Sequence, residues 1–157
     1  MNTSRVATAV NGREIERDVL ARQTLAEFLR EELGLTGTKT SCELQVCGVC
    51  TVLVDDAPVS ACTYLAVDID GRDVVTVEGL SNADGLHPVQ QAFIDSFALQ
   101  CGFCTPGFVV MAVALLERNR NPTDDEIADF LDGNICRCTG YKPILEAVRR
   151  AAGVMGT

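Results

Sequence analysis

The amino-acid sequence predicts an α+β protein made of two unlike halves: a small unit of strands around one helix, then a unit of four helices. Three observations predict it. Short β-like runs end by Val77, helical spacing takes over after Pro88, and the segment Glu78-Gly79-Leu80-Ser81-Asn82-Ala83-Asp84-Gly85 between them is rich in turn formers. The domain boundary is placed there, giving domains 1–80 and 81–157.

Residues 6–10 have strand character, Asn11-Gly12 is a strong short-range hairpin signal, and residues 13–19 supply the return strand. Thr24 with Glu27 forms a capping-box pattern, after which Leu25, Phe28, Leu29 and Leu33 recur at helical spacing until Gly34 stops the helix. Residues 36–50 lose all periodicity and gain cysteines. Strands at 51–54 and 58–62 flank an Asp55-Asp56 turn, and a further strand at 74–77 follows Asp70-Gly71. In the second half Pro88 opens a helix to about Leu99. Thr105-Pro106 caps a second helix to Asn119, apolar nearly all round and therefore buried. Thr123 and Glu126 repeat the capping-box spacing, Gly133 stops that helix, and Pro143 opens the last one, through Arg150. The cysteine spacings of the halves differ, so there is no internal repeat.

With 47% hydrophobic and 22% charged residues the composition is that of a folded globular protein. A formal net charge of −9 argues against nucleic acid or an anionic membrane as partner, because phosphate contacts need Lys and Arg. The N-terminus carries no secretory or twin-arginine pattern, and the longest apolar run, residues 107–116, falls short of the ~20 residues of a membrane span. A cytoplasmic protein is expected. In that reducing compartment eight cysteines point to metal or redox chemistry rather than disulfides.

Cys42, Cys47 and Cys50 are separated by four and two residues, and Cys62 follows after eleven more. That is the spacing of plant-type [2Fe-2S] proteins. Three thiolates on one loop wrap most of a small iron–sulfide rhomb and a fourth arrives from a neighbouring strand; Gly48 lets the backbone turn close to it. A structural zinc site, which favours two short Cys-x-x-Cys knuckles, fits less well, since Cys47 and Cys50 alone have that form. In the second half Cys101 and Cys104 precede one helix, and Cys136 and Cys138 precede another. Helix N-termini favour an anionic centre, but on spacing alone zinc suits this set as well as an iron–sulfur cluster.

The strings Gln100-Cys101-Gly102-Phe103-Cys104-Thr105-Pro106-Gly107 and Gly133-Asn134-Ile135-Cys136-Arg137-Cys138-Thr139-Gly140-Tyr141 closely resemble the iron–sulfur subunit of the xanthine oxidase family of molybdenum hydroxylases. Leu33-Gly34-Leu35-Thr36-Gly37-Thr38-Lys39 and Cys47-Gly48-Val49-Cys50-Thr51-Val52 extend the resemblance to nearly the whole chain. It implies an N-terminal β-grasp, plant-type ferredoxin-like domain and a C-terminal four-helix domain, each with one [2Fe-2S] cluster, the ligands being Cys42, Cys47, Cys50 and Cys62, then Cys101, Cys104, Cys136 and Cys138. It also implies partners: a large subunit with molybdenum on molybdopterin, nearest the helical-domain cluster, and a medium subunit with FAD, facing the other. Because the chain ends soon after its last cysteine helix, separate subunits of bacterial type are expected, as a dimer of heterotrimers with the cytosine dinucleotide form of the cofactor. Electrons would pass from molybdenum through both clusters to flavin, with Gln100 and Cys138 touching the pterin. The alternative is a free two-cluster ferredoxin. Ser41 and Gln45 stand where the family has glycine, which puts the potential and the flavin-side docking of that cluster in question. His87 reads as a helix-start or surface residue, and no catalytic constellation emerges, so catalytic residues belong to the large subunit.

Overall fold

The computed structural model describes residues 2–83 and 85–156; Asp84, part of the turn-rich boundary segment, lies outside them. Strand β1 (Thr3–Val10) pairs antiparallel with β2 (Arg13–Leu20). Asn11 and Gly12 between them both have positive φ, 52° and 74°, as a type I′ turn requires. The turn Leu25–Glu27 (α1) opens on the expected reciprocal cap, Glu27 N–H donating to Thr24 Oγ1 at 3.2 Å and Thr24 N–H to Glu27 Oε2 at 2.8 Å. It does not continue as an α-helix. Residues Phe28–Glu32 widen into a π-helical turn, with Leu33 N–H bonded to the Phe28 carbonyl. The far end holds that width, because Gly34 turns the chain back at φ 70° and Leu35 N–H reaches the Leu29 carbonyl at 2.8 Å.

Strands β3 (Thr51–Val54) and β4 (Ala57–Ser60) form a second hairpin, and β5 (Asp73–Val75) completes a mixed sheet in the order β2-β1-β5-β3-β4, with β1 parallel to β5. Two strands end before the sequence pattern does. The Ser60 carbonyl is taken by the N–H groups of Thr63 and Tyr64, which closes β4 before Cys62. After Val75 the Asn11 side chain replaces a strand partner: Thr76 N–H donates to its Oδ1 at 2.8 Å and its Nδ2 donates to Thr76 Oγ1 at 3.0 Å. Val77 therefore enters a 3-10 turn (Val77–Gly79). Another 3-10 turn, Ala66–Ile69, had no signal in the sequence. Leu25, Ala26, Phe28 and Leu29 cover one face of the sheet and form a core with Val6, Val19, Val52 and Ile69.

The second half holds α2 (Pro88–Asp95), α3 (Thr105–Arg118), α4 (Asp124–Leu131) and α5 (Lys142–Met155). Helix α2 stops four residues before Leu99 in a Schellman motif: Ala98 N–H bonds to the Phe93 carbonyl and Phe97 N–H to that of Ile94. Phe97 occupies the left-handed position at φ 51°, usually glycine, with its side chain 83% exposed. Thr105 does not cap α3. It is the first helical residue after Cys104, and its buried hydroxyl has no hydrogen-bond partner among the described residues. The Thr123–Glu126 capping box of α4 forms as expected. Helix α5 runs past Arg150 because Ala151 and Ala152 extend its buried stripe. No helix among the described residues is long and apolar enough to cross a membrane.

The halves are locked together. Leu53 of β3 packs with Val110 and Ala114 of α3. Beside this seam the first cysteine loop lies directly on the second half. A Cβ on Gly107 would come within 2.4 Å of the Gly48 carbonyl oxygen, and one on Gly48, at φ 68°, within 2.6 Å of the Asn134 side chain. Asn134, 3% exposed, donates its Nδ2–H to the Gly48 carbonyl at 3.0 Å.

Two outcomes follow for stability. Gly107→Ala places its new methyl on backbone that cannot retreat, so it is expected to cost about 1–3 kcal/mol, near 2–4 °C of Tm per kcal/mol at this size. Gly153→Ala, in α5 with nothing within 4 Å, should be neutral or stabilising. Thermal unfolding of the two variants checks the contrast. His87 caps α2, its Nδ1 accepting from Val89 N–H at 3.2 Å while Gln90 Oε1 accepts from His87 N–H. Burial holds this imidazole below its ordinary value, with Glu117 raising it and Arg120 lowering it. The neutral, accepting form is the folded one, so the cap's contribution is complete above about pH 6.5 and fades as pH falls through the lower folded value. Stability measured from pH 7 to 5 should fall less steeply in His87→Asn, which caps without titrating.

Candidate metal centres

The first four cysteines meet where the loop after α1 faces β3 and β4. Glu43, Gln45 and Gly48 all take positive φ, at 54°, 59° and 68°. This winding turns successive amides inward, and the N–H groups of Leu44, Val46 and Cys47 each donate to Cys42 Sγ at 3.4 Å. Those three bonds pull the Cys42 thiol down to about 6. Cys50 behaves oppositely: burial, reinforced by the Cys62 and Cys47 sulfurs, pushes it up to about 12.

The second four lie where the loop after α2 and the start of α3 meet the α4–α5 loop. Cys101 and Cys138 are exposed with their sulfurs 3.5 Å apart. Cys104 and Cys136 are buried. Burial and the neighbouring Cys136 push Cys104 up to about 12. Burial would raise Cys136 too, yet it sits below its ordinary value because the Thr139 hydroxyl and amide donate to its sulfur, at 3.0 and 3.4 Å.

All eight thiols are free, and each site is built of two pairs. Side-chain interactions join Cys42 to Cys47, Cys50 to Cys62, Cys104 to Cys136 and Cys101 to Cys138. No three His, Cys, Asp or Glu side chains among the described residues converge on a single-ion site. Two pairs of sulfurs suit a rhomb with two irons, each iron taking one pair; a lone tetrahedral ion draws four ligands to one centre. Among the described residues no cationic side chain acts on the crowded buried thiols Cys50 and Cys104. The positive charge of a bound metal would favour the thiolate form of such ligands. The donor set therefore fits a [2Fe-2S] cluster at each site.

A backbone hydrogen bond joins the two sites directly. Ile135 N–H, adjacent in sequence to Cys136, donates to the carbonyl of Cys47 at 3.0 Å.

The remaining sequence-derived candidates are placed as follows. Gln100 is exposed in the loop beside Cys101, not at the end of a helix, since α2 has already stopped at Asp95. Gln45 accepts the left-handed backbone that glycine would favour, and its Oε1 receives a hydrogen bond from Thr63 Oγ1 at 3.2 Å. It lines a cleft of about 430 Å³ with Gly48, Tyr64 and Asn134. Ser41 is exposed in a bend. Three contributors carried no role in the sequence reading: Asn134, Thr139 and Tyr141, whose Oη accepts from Cys136 N–H at 3.0 Å. Thr139 follows Cys136 by three residues, a spacing that lets a hydroxyl fold back onto a sulfur. Asn134 had no such signal, because its partner is 86 residues away.

Two family models match the chain, a 2Fe-2S iron-sulfur cluster binding domain over residues 8–76 and a [2Fe-2S] binding domain over residues 76–149. The nicotine 6-hydroxylase small subunit of Paenarthrobacter nicotinovorans is 52% identical over 94% of this chain and 88% of its own. The aldehyde oxidoreductase of Megalodesulfovibrio gigas is 44% identical over 93% of this chain, which spans only 16% of that much longer protein. Among solved structures, that of quinoline 2-oxidoreductase from Pseudomonas putida 86 superposes with a TM-score of 0.94 at 43% identity, covering 98% of this chain and 96% of the matched one. On the paired thiols of both sites, the two matched domains and these relatives, the chain belongs to the [2Fe-2S] iron–sulfur subunits of the xanthine oxidase family of molybdenum hydroxylases.

Proposed function

We propose that this chain is the electron-relay subunit of a molybdenum hydroxylase, linking a molybdopterin-binding large subunit to an FAD-binding medium subunit. Cys42, Cys47, Cys50 and Cys62 hold one [2Fe-2S] cluster in the domain 1–80, and Cys101, Cys104, Cys136 and Cys138 hold the other in the domain 81–157. Bound there, the clusters supply one-electron redox chemistry. The observation that carries this reading is the hydrogen bond from Ile135 N–H to the Cys47 carbonyl, which connects a ligand of one site to the neighbour of a ligand of the other by a short, largely bonded route.

The pairs divide the labour. At each site one pair is buried, Cys50 with Cys62 and Cys104 with Cys136; the other, Cys42 with Cys47 and Cys101 with Cys138, is open to varying degrees. The buried pair anchors, and the open pair faces a partner. On the helical side the chain around Cys101 carries the exposed side chains of Phe97, Leu99 and Phe103, an apolar setting that fits a covered surface better than a freely diffusing carrier. Here Gln100 and Cys138 face the pterin: the exposed amide of Gln100 can both donate and accept, and the Cys138 sulfur lies at the rim. The cytosine dinucleotide form of molybdopterin, a dimer of heterotrimers and a cytoplasmic location complete the proposal. The catalytic residues and the choice of substrate belong to the large subunit.

The native complex is expected to contain four irons in this chain and, on reduction, two distinguishable [2Fe-2S] signals by electron paramagnetic resonance. A single centre, or zinc in place of iron, overturns the assignment. Gln100→Leu should keep all four irons yet slow reduction of the helical-side centre by substrate about tenfold, the effect of one lost hydrogen bond of ~1.4 kcal/mol in the reacting geometry, or else lower molybdenum occupancy. Unchanged stopped-flow reduction together with full molybdenum content rejects the pterin contact.

A further inference from the structure

The loop between α4 and α5 closes on itself around Cys136. Cys136 N–H donates to Tyr141 Oη at 3.0 Å, Tyr141 N–H donates to Thr139 Oγ1 at 3.3 Å, and the Thr139 hydroxyl donates to Cys136 Sγ at 3.0 Å. Packing fixes this circuit from outside. The Tyr141 ring stands edge-on to Phe108 of α3, centroids 6.2 Å apart, while its backbone takes φ 67° to start α5.

The direction of the last bond follows from the others. A hydroxyl has one hydrogen to give and two lone pairs to accept with. The Tyr141 amide occupies a lone pair of Thr139 Oγ1, and the buried Cys136 sulfur is the acceptor within reach of the hydroxyl hydrogen. Cys42, at the other site, is served by backbone amides and the neighbouring Cys47 thiol. Backbone donors come with any loop of that shape, whereas a side-chain hydroxyl is a property of this one residue.

Hydrogen bonds to the sulfurs are among the factors that set the potential of an iron–sulfur cluster; they favour the reduced state, in which the sulfurs carry more negative charge. We propose that Thr139 is a positioning residue that sets the potential of the helical-side cluster: its hydroxyl, aimed by the Tyr141 amide, stabilises the electron-rich Cys136 sulfur and holds that cluster's potential above the value the backbone alone would give. The inference rests on the assignment of Cys136 as a cluster ligand made above.

The test is a redox titration of the whole complex followed by electron paramagnetic resonance, in which each centre is read separately. Thr139→Val, which replaces the hydroxyl by a methyl of similar size, should shift the helical-side midpoint to lower potential, so that well under half of that centre is reduced at the native midpoint. The other centre should titrate as before, and Thr139→Ser should restore the native value. A Thr139→Val midpoint equal to the native one, with iron retained, overturns the proposal. If Thr139→Val fails to retain the helical-side centre, Thr139→Ser decides: retention with the hydroxyl alone supports the sulfur contact, and loss in both variants overturns it in favour of packing by the threonine methyl. Failure of the underlying assignment reads differently, as fewer than four irons in the unaltered chain.

Discussion

The close approach of two backbones, Gly48 on one side and Gly107 with Asn134 on the other, is the constraint on which the rest of the structure depends. It leaves no room for a side chain at either glycine, and it fills the gap with a single buried amide hydrogen bond. Everything that makes the chain a relay follows from it. Ile135 can reach the Cys47 carbonyl because Asn134 has already been drawn onto Gly48. The seam of Leu53, Val110 and Ala114 keeps α3 against the sheet and so keeps the glycines in register. An ordinary two-domain interface tolerates slippage; this one is pinned within one residue of a clustered cysteine on each side.

The same loops handle charge without relying on ion pairs. In a chain of net charge −9, four thiols gathered at each site are an electrostatic burden wherever they ionise. The first loop meets it with amides, by placing Glu43, Gln45 and Gly48 in left-handed conformations. The second meets it with a mixture of amide and hydroxyl, and with a helix that starts directly after Cys104. Cys50 and Cys104, where burial outweighs the backbone hydrogen bonds that favour the thiolate, are the thiols pushed up to about 12.

Much of this was legible in the sequence. The hairpin at Asn11-Gly12 and the caps at Thr24 and Thr123 carry their meaning locally, in residues a few positions apart. What failed to show depended on distant partners. Strand β5 stops early because Asn11, in the turn between β1 and β2, captures Thr76. The helix over Phe28 widens because Leu35 is pulled back past Gly34, and α2 ends early although nothing at Phe97 resembles a stop signal. The crowding of Gly48 by Asn134 had no local signal, because the two residues lie 86 positions apart. Thr139 lies among cysteines whose chemistry is more obvious, and its contact with the Cys136 sulfur depends on how the loop closes.

The junction at Gly48 also bears on how the chain is made. Synthesis runs from the N-terminus, and domains usually fold in that order. The first cysteine loop is translated early, yet the amide that seats it lies 86 residues further on. Until Asn134 has left the ribosome, Gly48 and Val49 have no surface to lie on, and the ring of amides around Cys42 is held from one side only. The final seating of the first cysteine loop is thereby tied to synthesis of the segment that carries Asn134.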